Sequence, residues 1–125
     1  GINPSSVRKK IPGRYANNIN AFSAILKSAN KKQVKVILYI APLRDDVAIP
    51  YDLGEYKDFK EDIEKVSKLS GIEVINFESL VPFNYWGTKD STSLSMEQEI
   101  DFMHFKAGGH QLLADAIYSE LISDI

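Results

Sequence analysis

Ile19, Phe22, Ile25, Leu26 and Ala29 recur at the three- and four-residue spacing that lines one face of a helix, and they predict one over residues 17–30 with asparagines at both ends. Residues 1–15 ahead of it read as irregular, because Pro4 and Pro12 oppose a regular helix and Gly13 marks a turn. Val34–Ala41 is a β-branched run that becomes continuously apolar, the pattern of a strand buried on both faces; Pro42 ends it. Leu43–Leu53 reads as a loop. Tyr56, Phe59, Ile63, Val66 and Leu69 form a second helical stripe over 54–69, closed by Gly71 as the left-handed residue after the helix. Ile72–Phe77 is a second short apolar strand. Val81–Ile100 is polar with scattered aromatics and reads as a long loop. A last helix is predicted over 107–122, with Leu112, Leu113, Ala116, Ile117 and Leu121 facing inward.

A strand, a helix and a strand of these lengths make a right-handed βαβ unit with parallel strands, so the predicted class is α/β. Only two strands are legible, whereas such domains bury a parallel sheet of about five strands between helix layers. Two strands leave two open edges. The expectation is therefore either a second copy pairing with the sheet edge, or an upstream part of a longer parent chain that supplies the remaining strands.

At 125 residues the chain is one domain or part of one, and its 44% apolar and 26% charged content argues against disorder. The absence of cysteine removes thiol nucleophiles, disulfides and Cys-based zinc sites. The net charge of −2 conceals a division. Residues 1–35 carry eight bases and no acid, and residues 36–125 carry seven bases and all 17 acids. We read the first part as a solvated basic face that complements the acidic remainder, and expect no nucleic-acid partner.

The chemistry concentrates in Asp101-Phe102-Met103-His104. A carboxylate held against one imidazole nitrogen fixes the tautomer, leaves the other nitrogen free to take a proton and stabilises the imidazolium that results. The pair supplies two parts of a triad, its free nitrogen expected to face a cleft. No serine stands in a Gly-x-Ser-x-Gly or Gly-Asp-Ser context, and Ser5 and Ser6 are misplaced for a nucleophile. His110 reads as an exposed residue of the last helix, and a metal site of Asp101, His104 and His110 lacks a fourth ligand at a recognisable spacing. Arg44-Asp45-Asp46 follows the first strand, where α/β folds bind ligands, but the Lys and phosphoacceptor Asp of a receiver-type magnesium pocket are not evident. Trp86-Gly87 reads as an aromatic cover for the core.

With Gly108-Gly109 and the amphipathic helix that follows, Asp101-x-x-His104 resembles the last sequence block of the SGNH (GDSL-type) hydrolases. The resemblance covers most of residues 17–125. It implies an incomplete C-terminal portion of a flavodoxin-like, three-layer parallel-sheet domain, with His104 as general base and Asp101 as its orienting acid. Gly1-Ile2-Asn3 resembles the family's Gly-x-Asn block, which makes Asn3 an oxyanion donor; Pro4 departs from the usual Asp. The Gly-Asp-Ser block has no counterpart, so this chain alone is expected to be inactive. The implied activity is ester hydrolysis or O-acyl transfer on an acylated carbohydrate or cell-surface polymer, without a cofactor, and the transfer branch implies an extracytoplasmic setting. The reading from a different class is a non-catalytic α/β interaction module with a basic N-terminal segment.

Overall fold

A computed structural model describes residues 7–91 and 97–123. It is mixed α/β, with a small parallel sheet and an antiparallel pair; it is not a complete three-layer flavodoxin-like fold. The chain divides into two compact units, residues 7–40 with 51–75 and residues 41–50 with 76–91 and 97–123.

The first unit holds α1 (Pro12–Lys31), β1 (Leu38–Ile40), α2 (Leu53–Leu69) and most of β2 (Val74–Asn76). Pro12 does not oppose α1 but starts it: the first helical position needs no amide donor, and the ring presets φ. Ile11, rather than an asparagine, is the N-cap. Leu26 is buried on α1, whereas Ile25, about 100° round the helix, is 64% exposed. β1 is shorter than the apolar run, whose first residue belongs to the helix end. Gln33 takes φ 55° and the Val34 amide donates to Ala29 O at 2.9 Å, closing α1 with a Schellman turn.

On α2, Asp52 caps the first turn by accepting from the Glu55 amide at 3.1 Å, while Ile63 and Ser67 are buried. Gly71, at φ 69°, allows the Ile72 amide to reach Ser67 O at 3.0 Å. Leu69, in the last turn beside this reversal, is 88% exposed instead of facing inward. β1 and β2 pair in parallel, as the βαβ order predicts.

The second unit corrects the sequence reading most. The stretch read as a loop, Val81–Ile100, holds a 3₁₀ turn (Phe83–Tyr85), β3 (Trp86–Asp90) and the start of β4 (Gln98–Phe105), which pairs with β3 as a hairpin. The described residues therefore hold four strands, not two. Polar side chains add to the backbone pairing: Thr88 Oγ1 donates to Gln98 Oε1 at 2.9 Å, and Gln98 Nε2 donates to Asp90 Oδ1 at 2.6 Å. The register is Trp86 opposite Phe105 and Thr88 opposite Ile100, so Gly87 alone faces the four residues 101–104. β4 bulges there.

α3 (Ala107–Ile122) follows after the single residue Lys106, whose amide donates to Tyr85 O at 2.7 Å. Close glycines seat its first turn. A β-carbon at Gly108 would enter the Tyr85 ring, and one at Gly109 would lie 2.7 Å from Phe105 Cβ and 3.0 Å from Val81 Cγ1. Trp86, 3% exposed, packs edge-on against Phe105 at 4.7 Å and donates from Nε1 to Val81 O at 3.1 Å. Leu121, expected inward, is 45% exposed, since the seating contacts lie at the other end of the helix.

Candidate functional site

Asp101 and His104 bound the bulge. A straight strand would send residues three apart to opposite faces. Here Asp101 Oδ1 accepts the amides of Met103 at 2.8 Å and His104 at 3.2 Å, which turns the backbone and returns His104 to the carboxylate. His104 Nδ1 then lies 2.8 Å from Asp101 Oδ2. The pair is asymmetric, with the Asp101 side chain 9% exposed and that of His104 76% exposed.

Burial pushes the Asp101 carboxyl up, but the Met103 amide, the His104 imidazole and the His104 amide together outweigh it and hold the group below the usual carboxylate range. Asp101 is therefore ionised at neutral pH and accepts the Nδ1 proton. His104 Nε2 carries no hydrogen bond to another described residue, no serine hydroxyl included. The arrangement can orient an imidazole, fix its tautomer and take up a proton at Nε2.

Arg44 stands in the same unit. Its Nε and Nη2 bind both oxygens of Asp46 at 2.8 Å each. Its Nη1 donates to Gly87 O and to Asp101 O, 3.0 Å each. The Asp46 hydrogen bond pushes the Arg44 pKa up and, in return, lowers that of Asp46. Asp46 is thus committed to the guanidinium rather than open to a cation. The sequence placed this loop where α/β folds bind ligands and did not show its attachment to the bulge. The spacing of Arg44 and Asp46 marks a local ion pair, but nothing in the sequence marks the two carbonyls that the arginine reaches.

Of the other candidates, Asn3, Ser5 and Ser6 lie outside the described residues. His110 is exposed and touches the Phe105 ring edge-on at 5.4 Å. Among the described residues no group of three or more His, Asp and Glu could hold a metal ion. A hollow of about 450 Å³ lined by Glu64, Ser67, Lys68 and Gly71 belongs to the first unit and contains none of the candidate residues. Among the described residues no helix is long and apolar enough to cross a membrane. No protein-family model, curated protein or solved structure matches the chain.

Proposed function

We propose that the chain is the C-terminal portion of an SGNH-type ester hydrolase or O-acyltransferase, contributing the general base and its orienting acid to an otherwise incomplete flavodoxin-like domain. The observation that carries this reading is the 2.8 Å contact between a buried carboxylate and an exposed imidazole. With Asp101 accepting the Nδ1 proton, Nε2 is the basic nitrogen. A serine hydroxyl brought to it loses its proton there as Oγ attacks the ester carbonyl, and Asp101 stabilises the imidazolium. The same proton then goes to the departing alcohol. Water or a sugar hydroxyl, deprotonated in turn by His104, releases the acyl group from the serine. Backbone amides and Asn3 are the proposed oxyanion donors. The serine comes from the upstream part of a parent chain, and the substrate is an acylated carbohydrate or cell-surface polymer.

Restoring the upstream segment tests this. The 125-residue chain should not hydrolyse short activated esters above a buffer control, and the longer protein should hydrolyse or transfer the acyl group. That activity should vanish in His104→Ala. Survival of the activity in that variant would refute the assignment. A non-catalytic interaction module is the second reading, favoured by the two backbone amides on Asp101 Oδ1, which give the acid a turn-forming role independent of chemistry.

A further inference from the structure

We propose that Arg44 is a positioning residue for the Asp101 and His104 pair, holding the backbone that carries the acid at the point where strand pairing lapses. This inference rests on reading the pair as a base and its orienting acid. In a regular antiparallel ladder, inward-facing carbonyls accept amides of the opposite strand. At the bulge one residue faces four, and the carbonyls of Gly87 and Asp101, one from each strand, converge on the same guanidinium nitrogen. Nη1 has two protons and meets both carbonyls at 3.0 Å.

The plane of that guanidinium is set from its other side by Asp46, which takes Nε and Nη2 in a two-point contact. The Arg44 side chain is only 9% exposed, so it is a packed bracket rather than a surface charge. Two side-chain torsions separate the Asp101 backbone from Oδ2, and Oδ1 is already tied to two amides. Fixing the Asp101 carbonyl therefore fixes where Oδ2 can meet His104 Nδ1. Lysine cannot replace this bracket. An ammonium has no plane for Asp46 to orient while it spans two carbonyls.

The tautomer of His104 is the readout, measured on the intact chain by imidazole ¹⁵N–¹H correlation at a pH where the ring is neutral. A His110→Gln background removes the only other histidine. The unmodified site should favour the proton on Nδ1. In Arg44→Gln the ratio of Nδ1–H to Nε2–H should fall by up to about fivefold, the weight of one charge-assisted hydrogen bond to a ring largely in water. Arg44→Lys should fail to restore it, and Asp46→Asn should lower it by a smaller factor.

Far-UV circular dichroism verifies that each variant is folded. A folded Arg44→Gln with an unchanged ratio would overturn the proposal and leave the base assignment intact. If Arg44→Gln does not fold, an unchanged ratio in Asp46→Asn overturns it instead. Absence of the Nδ1–H preference in the parent site would remove the base reading itself, and this inference with it.

Discussion

Asp101 can be perturbed in two steps that separate its charge from its shape. Asp101→Asn retains an oxygen for the Met103 and His104 amides but loses the charged acceptor for Nδ1. One charge-assisted hydrogen bond, discounted because the His104 ring is largely in water, is worth about 1 kcal/mol. Asp101→Ala removes all three bonds and releases the turn, which raises the cost to about 2–4 kcal/mol. The sole tryptophan, Trp86, is buried in the same unit and reports unfolding in urea by its fluorescence. The pH dependence has a definite sign. The native Asp101 carboxyl is held below its ordinary range, so its contribution is complete above about pH 4 and is lost as the pH falls through the native value. Other carboxylates titrate in every variant, and the difference between parent and Asp101→Asn cancels them. That difference should be full at pH 7 and shrink below about pH 4. Equal stability of the Ala and Asn variants at pH 7, or a gap that does not change in acid, would refute the reasoning.

Two further outcomes are expected in the scaffold. Gly109→Ala should gain about 1 kcal/mol of helix propensity but lose about 2 kcal/mol to overpacking against Phe105 and Val81, and Trp86 fluorescence in urea should show it less stable by about 1 kcal/mol. Tyr15 donates to Asp62 at 2.8 Å, and burial, that hydrogen bond and the charges of Asp62 and Asp58 push its pKa up to about 12. Its stabilisation should be complete below about pH 10 and lost as the pH rises through about 12, so the stability gap between parent and Tyr15→Phe, read by helical circular dichroism in urea, should shrink over that range.

The parts of the fold legible in the sequence are those whose burial repeats with a regular period. α2 shows its stripe and its terminal glycine, and the βαβ order follows from the apolar runs on either side. The hairpin was not legible because β3 is polar beyond Trp86, and the alternation of β4, Glu99-Ile100-Asp101-Phe102, is short and runs into the bulge. Pro12 misled in the opposite way, since its meaning depends on whether it stands at the first position of a helix or inside one. At the candidate site, the spacing of Asp101 and His104 was readable because the two residues are local to one another. Arg44 was not. Two of its partners are backbone carbonyls, which every residue carries and no sequence pattern marks.

The bulge also settles an odd-and-even problem. Thr88 and Trp86 are two apart and share a face of β3, and their partners Ile100 and Phe105 must share that face too. Yet 100 and 105 differ by an odd number, and in an uninterrupted strand they would point opposite ways. Four residues set against one insert three extra places, which reverses the parity and brings both apolar side chains to the same side. The spacing of the acid and the base is therefore also a counting device. Deleting both residues between 101 and 104 would set two residues against Gly87, an ordinary one-residue bulge, and would make the acid and the base neighbours in the chain.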